Sequence, residues 1–399
     1  MRVLRGSGTL DILSLEVFSL LQLWTFNEPL LPNLKTLELW RIEGPFVPFI
    51  PLFLSLRVIS ILLDFKPDLP SPMVASTVSS LPKLCPELQA ICLSYPPRDP
   101  IVTNAVSGMV LATNRNILQQ FYVNFPLTEE ASEVIFKLSS LRGLSVVIEG
   151  ETSLPSASLP NLTDLLITCD NEGDWPQLFH GATFGKLEDV TFCPKSEETG
   201  DLLGAFEKAA VSSSIQDTLS VLNVFTSSSW NPNYSSLLPF TQLVELEVDF
   251  SCENGCSSRV DDDVIINLSR AMPKLQSLKL GGEPCEEFTT GATAKGLVAL
   301  AFHCPDLQGL CIHFQVASLS VPPASHGIDH NTGGSWTGRG LTLKVGDIVL
   351  PEESVLVVAL TLLRIFPRIE NIGSLNEGWE QVKDAIQVSK KIVDCSSKQ

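Results

Sequence analysis

The sequence predicts an α/β solenoid: a curved right-handed superhelix with one parallel sheet on its concave side and helices and irregular crossings on its convex side. Three observations predict it. First, a nine-residue phrase recurs, in LPNLKTLEL (31–39), LPNLTDLLI (159–167), MPKLQSLKL (272–280) and CPDLQGLCI (304–312). Second, its copies are spaced like the units of a repeat array. Their first residues are Leu10, Leu34, Leu56, Leu88, Leu118, Leu141, Leu162, Leu187, Leu219, Leu243, Leu275 and Leu307, with a degraded copy at Ile369. The intervals run from 21 residues (Leu141 to Leu162) to 32 (Leu275 to Leu307), about 12–13 repeats in all. Third, the phrase itself alternates as a strand does. In Leu243-Val-Glu-Leu246-Glu-Val248, Leu246 and Val248 share one face, and Glu245, Glu247 and Asp249 share the other. One such strand cannot bury its apolar side alone, whereas stacked parallel neighbours bury it jointly.

The elements follow in chain order. The array opens at residues 10–15. The crossing 39–56 is rich in Pro and reads as irregular. Helices are expected over 73–81 and 101–114. Thr128 caps the next helix, with Glu129 and Glu130 in its first turn and Ala131, Val134, Ile135 and Leu138 at helical spacing. Asp201 leads a helix carrying Leu202, Leu203, Phe206 and Ala210. Asp262 caps a turn carrying Val264, Ile265 and Leu268, which ends near Pro273. A further helix covers 291–303. Residues 318–340 form a flexible insertion rich in Gly, Ser and Pro. In the tail, Trp379, Val382, Ile386 and Val393 share roughly helical spacing over 377–393, and such a helix would cover the apolar edge that a terminal repeat exposes. The domain reading is therefore one solenoid over 1–375 and a capping helix with tail over 376–399.

The strand phrase resembles a leucine-rich repeat. GLVALAFHCPDLQGLCI (296–312) is similar to the cysteine-containing variety, whose helix ends in Cys-Pro before the strand. The spacing and the long polar insertions resemble fungal F-box proteins with divergent repeats, over about residues 10–375. The resemblance implies a non-catalytic scaffold, the substrate-recognition region of an F-box-type ubiquitin ligase subunit. One departure stands out: the first phrase at Leu10 leaves no room for an F-box before it, so no adaptor-binding residues are carried over. The cullin-ligase adaptor is expected as a partner only if an F-box exists upstream. The alternative is a leucine-rich-repeat adaptor or regulator unrelated to ubiquitin, or a scaffold fragment of a larger enzyme.

Composition narrows the function classes. With 27 Lys and Arg against 45 Asp and Glu the net charge is -18. No basic cluster exists, which argues against nucleic acid and against anionic membranes as partners. Asp11 and Glu16 interrupt the N-terminal apolar stretch, unlike a signal peptide. The most apolar run, 355–366, is broken by Arg364 and too short to span a bilayer. The ten cysteines lack a secreted pattern. Together these point to a cytoplasmic or nuclear chain with reduced thiols.

Neither a catalytic residue nor a cofactor or metal site is expected. Cys252, Cys256 and Cys285 fall short of the four ligands that zinc requires. His326, Asp329 and His330 fall in the insertion. Cys304, Cys311 and His313 read as thiols and an imidazole of one repeat. No nucleophile elbow, HExxH or phosphate loop occurs. The candidate functional residues are instead the outward strand positions. These are Trp40 with Thr36 and Glu38; Tyr122 with Gln120 and Asn124; Phe225 with Val221 and Asn223; and the acids Glu245, Glu247 and Asp249. Large aromatic side chains anchor interfaces. Three acids on one short strand repel one another, so they suggest a protein partner with a basic segment on the concave face.

Overall fold

A computed structural model describes residues 3–7, 17, 20, 29–95, 99–148, 158–169, 183–194, 202–226, 232–250, 260–281, 292–312, 319, 340–344, 350, 354–373 and 377–396. The insertion 318–340, apart from its residues 319 and 340, lies outside the described residues. So do Cys252, Cys256 and Cys285, His313, the His326, Asp329 and His330 group, and Leu10. The chain divides into two compact units, Met1–Leu187 and Glu188–Gln399.

In the first unit the strands are β1 (Val3–Ser7), β2 (Thr36–Ile42), β3 (Ser60–Phe65), β4 (Ala90–Ser94), β5 (Gln120–Pro126), β6 (Gly143–Ile148), β7 (Ser158–Leu159), β8 (Asp164–Cys169) and β9 (Thr183–Phe184). β1 to β6 and β8 form a parallel ladder in chain order, and β7 and β9 pair with each other. In the second unit β10 (Asp189–Pro194), β11 (Val221–Thr226), β12 (Glu245–Phe250), β13 (Ser277–Leu280), β14 (Gly309–Ile312), β15 (Leu341–Lys344) and β16 (Ile369–Gly373) do the same. Each unit is thus mixed α/β around a long parallel sheet.

The repeated phrase explains the ladder. Its first apolar residue is buried at the strand entries Leu34, Val58, Leu88, Leu118, Leu141, Leu162 and Leu187 in one unit and Leu219, Leu243, Leu275 and Leu307 in the other. The next two apolar positions are stacked in register, as in Leu246 beside Leu222 and Leu278, and Val248 beside Val224 and Leu280. Leu37, Leu39, Leu165, Ile167, Leu246, Val248, Leu278, Leu280, Leu310 and Ile312 are all buried. The backbone repeats as well. The carbonyl after each first apolar residue accepts two N–H groups from the next repeat: Lys35 from Ile59 and Ser60, Gln89 from Gln119 and Gln120, Val244 from Gln276 and Ser277. The Pro of the phrase stands second in the turn that precedes the strand, where its fixed φ suits the bend. The N–H groups of Leu34, Leu162, Leu275 and Leu307 close such turns onto the carbonyls of Leu31, Leu159, Met272 and Cys304.

Three sequence-based assignments are corrected. The third phrase begins at Val58 rather than Leu56: Val58 is fully buried and Leu56 is 66% exposed, because Ile61, not Ile59, pairs with Leu37. The strand beside β2 is Val3–Ser7, upstream of Leu10. The crossing after β2 is not irregular but a 3-10 helix over Gly44–Leu52. Its Pro45, Pro48 and Pro51 recur every third residue, the period of that helix. β15 had no counterpart in the phrase count. Leu343 pairs with Leu310, which places Gly340 where the phrase has its first Leu.

The crossing helices are α1 (Ser71–Leu84), α2 (Pro100–Ala112) and α3 (Glu129–Ile135) in the first unit. The second has α4 (Leu202–Ser212), α5 (Asp262–Ala271), α6 (Ala294–His303), α7 (Val355–Ile365) and α8 (Glu377–Ser396). Thr128 caps α3 as its sequence suggests, accepting from the Ala131 N–H. In the second core Phe206 stacks on Phe240 and meets Phe192 edge-on, with centroids 5.2 and 5.0 Å apart. α8 closes the second unit: Trp379, Val382 and Ile386 are buried, and the Lys390 ammonium donates to the Ile369 carbonyl of β16.

Helix caps pass from one repeat to the next. Asp261, not Asp262, caps α5, accepting from Val264 N–H at 2.9 Å. Asp262 reaches onward to α6, accepting from the N–H groups of Thr293 (2.8 Å) and Gly296 (3.0 Å) and from the Thr293 hydroxyl (2.6 Å). A Cβ at Gly296 would stand 2.8 Å from that carboxylate. Asp262→Ala is therefore expected to cost about 1–2 kcal/mol, the worth of a helix cap. Gly296→Ala should destabilise the native chain yet cost less, or stabilise, once Asp262 is Ala, because helix propensity favours Ala by about 1 kcal/mol. Urea unfolding of the two single variants and the double variant measures this coupling.

Candidate protein-binding face

Alternate strand positions that are not buried in the core form the open face of each sheet. Strand register sorts them into rows. In the first unit the middle row reads Arg5, Glu38, Leu62, Cys92, Tyr122, Ser145 and Leu166. Its charged end is self-paired, with Arg5 2.7 Å from Glu38. The remainder is largely apolar and, apart from the buried Ser145, only half-buried. An open sheet face is ordinarily polar, so this apolar row stands out.

Trp40, the third outward position of β2 after Thr36 and Glu38, is 48% exposed, and a local irregularity follows it. The pairing of β2 with β3 shifts between Leu39 and Ile42, a bulge. Arg41 adopts φ 53° there, and its N–H donates to Asp64 Oδ2 at 3.1 Å. The extra residue leaves Arg41 exposed beside Trp40 and returns Ile42 to the core opposite Phe65. Tyr122 lies three strands away on β5 and is half-buried because its ring covers Gly143. A Cβ there would stand 2.0 Å from the phenol oxygen, so β6 needs glycine at that point. Gln120 and Asn124 flank it, both exposed. Asn124 Oδ1 accepts from the Tyr95 N–H.

The second unit brings Phe225, Glu245, Glu247 and Asp249 together on β11 and β12, with Phe225 opposite Asp249. The acids are not left to repel one another. Lys279 on β13 bridges Glu247 at 2.6 Å and Asp249 at 2.5 Å. Partial burial pulls the Lys279 pKa down, but the hydrogen bonds and charge of the two carboxylates outweigh it and hold the ammonium above its ordinary value. Of the three acids, Glu245 alone makes no ion pair among the described residues. The idea that mutual repulsion marks these acids for a partner thus gives way. A Lys directly across the ladder from Glu247 balances two of them, and the phrase MPKLQSLKL already held it.

No protein-family model matches the chain, and no curated protein is similar to it in sequence.

The chemistry of the remaining candidates is modest. Burial pushes the Cys85 and Cys304 thiols up to about 12, so both stay protonated at neutral pH. Each serves the turn before a strand. Cys304 Sγ donates to the carbonyls of Ser269 and Met272 in the preceding repeat, whereas Cys85 has a hydrogen bond with the Ser55 backbone that favours the thiolate and only partly offsets burial. Cys311 instead sits on the open face, apart from Cys304, with its thiol also raised by burial. Among the described residues no group of three or more His, Cys, Asp and Glu could hold a metal. None of the described helices is long and apolar enough to cross a membrane.

The open-face residues that the sequence reading did not include are Leu62, Cys92 and Leu166 in one unit and Lys279 and Lys344 in the other. Each sits at the middle outward position of its phrase. Aligning every phrase on its buried leucines finds all of these but Lys344, whose strand β15 opens on Gly340 in place of the first leucine.

Proposed function

We propose that the chain is a non-catalytic protein–protein interaction scaffold: the leucine-rich-repeat, substrate-recognition region of an F-box-type ubiquitin ligase subunit. One observation carries the scaffold reading. Strand after strand spends its inward positions on a shared core and leaves its outward positions in ordered rows that include Trp40, Tyr122 and Phe225. Such rows suit protein recognition, in which a few large side chains carry most of the energy. The ubiquitin part rests on the resemblance of the phrases alone. The absence of nucleic-acid and membrane partners from this reading rests on charge.

A cytoplasmic or nuclear adaptor of the same architecture, unrelated to ubiquitin, is the second reading, since the same rows would serve it equally. The two part at the cullin-ligase adaptor, which should bind only through an F-box upstream of these repeats. Residues 1–399 by themselves are expected not to retain it in a pull-down. Retention at micromolar concentration would point to a docking surface on the repeats.

For the face itself, Glu245→Lys is the cleaner charge test, because it spares the Lys279 bridge. Reversing Glu247 and Asp249 as well would break two ion pairs inside the sheet. Glu245→Lys should leave the folding transition unchanged and slow partner association by severalfold at low salt, with the difference fading as salt rises. Tyr122→Ala should weaken affinity by about 1–2 kcal/mol or more if the ring anchors the contact. Partner affinity indifferent to both changes would remove the open faces from consideration.

A further inference from the structure

We propose that the open face of the second unit reads a partner's extended peptide segment through two charges about four residues apart, a basic side chain on β11–β12 and an acidic one on Lys344. This rests on the protein-binding reading above and says what the bound segment looks like. The face is divided by sign. Asp189, Glu245, Glu247 and Asp249 lie on β10 and β12, and Lys279 and Lys344 on β13 and β15. Lys279 spends its charge on Glu247 and Asp249, so that trio still carries a net negative charge.

Beside it Glu245 makes no ion pair among the described residues. The acid half thus holds an unpaired carboxylate at the start of β12 and, opposite Asp249 towards its end, Phe225, which is 37% exposed. A Lys or Arg side chain with an apolar neighbour matches that set.

The basic half is simpler. Lys344 is exposed, stands across from Cys311 and makes no salt bridge among the described residues. Glu370, the nearest acid on β16, lies over Gly340 at the other end of β15. Between the halves the first outward row runs Glu245, Ser277, Gly309, Thr342. Its short side chains leave a low path across the strands, about one chain wide. From β12 to β15 is three strand steps, about 14 Å, which an extended chain covers in about four residues.

Peptide display selected on residues 1–399 tests this. The result expected is enrichment of segments with a basic and an acidic residue four apart and an apolar residue beside the basic one. A chemically synthesised copy of the leading peptide should bind the double variant Glu245→Lys, Lys344→Glu about tenfold more weakly than the native chain. A peptide with its two charges exchanged should recover the loss. Both substituted positions lie outside the core, and circular dichroism of the variant checks that it folds. Peptides without the charge pair, equal binding to both proteins, or no enrichment at all would overturn the proposal. Selected peptides that ignore the charge swap but are lost on Tyr122→Ala would sink this inference and leave the protein-binding reading standing. Peptides indifferent to both would sink the two together.

Discussion

Leu278→Asp is expected to destabilise the second unit severely. Leu278 is 1% exposed and sits in register between Leu246 and Leu310. An unpaired carboxylate placed there would cost of order 3–5 kcal/mol, against a total stability of about 5–15 kcal/mol for an ordinary domain. The neighbouring residue supplies the control. Ser277 points to the open face, so Ser277→Asp should cost about 1 kcal/mol or less, even though it faces Glu245. Urea unfolding followed by far-UV circular dichroism compares the two. Equal costs at adjacent positions would mean that the inward and outward assignment of β13 is wrong.

Trp379→Ala is expected to be nearly as damaging, at about 3–5 kcal/mol, but through the end of the array. Trp379 is fully buried, and α8 packs on α7 and β16. Without its largest anchor α8 should exchange its amides quickly, while β11 to β13 keep their protection, because in stacked repeats each unit depends chiefly on its neighbours. Hydrogen exchange resolved by peptide measures both regions in one experiment. The freed apolar end should also promote concentration-dependent association, visible by light scattering. A variant that loses protection evenly along the second unit would show that α8 is part of the core rather than a cover.

The sequence made the ladder legible because one physical requirement repeats. Each strand needs one buried residue at its entry and two more on one face, and leucine supplies all three in the clearest phrases. Legibility failed where another residue meets the same need. Val58 and Ile61 bury the third phrase, while the more conspicuous Leu56 faces solvent. β15 escaped because Gly340, not a leucine, introduces Leu341 and Leu343. Proline misled in the crossing 44–52: three prolines at a three-residue period build a 3-10 helix, whereas their mere density suggested a loop. The acids of β12 show a different limit. Their shared face could be read from one phrase, but their charge balance depends on Lys279 in the next repeat, 32 residues after Glu247. Likewise Asp262 looked like a cap for its own helix, and it caps the following one. Contacts within a phrase were readable; contacts between phrases needed the register.

The same register yields what neither Trp40 nor Tyr122 announces alone. Trp40 stands outward beside the bulge that Arg41 and Asp64 hold, and Tyr122 lies over Gly143, so one is a projecting contact and the other a low apolar patch. An interface built on them would meet Trp40 first and cover Tyr122, Leu62 and Leu166 afterwards.

The claim that the open faces, and not the helical crossings, contact the partner can be tested with a photoreactive phenylalanine analogue. It would be placed in turn at Tyr122 and Phe225 on the open faces and at Ile101 and Lys137 on the crossing side, all solvent-accessible positions. After irradiation with native cell extract, the account predicts a shared cross-linked product from at least one open-face position, weakened by Glu245→Lys or Trp40→Ala, and none from Ile101 or Lys137. A discrete product from Ile101 or Lys137, with none from Tyr122 or Phe225, would contradict it.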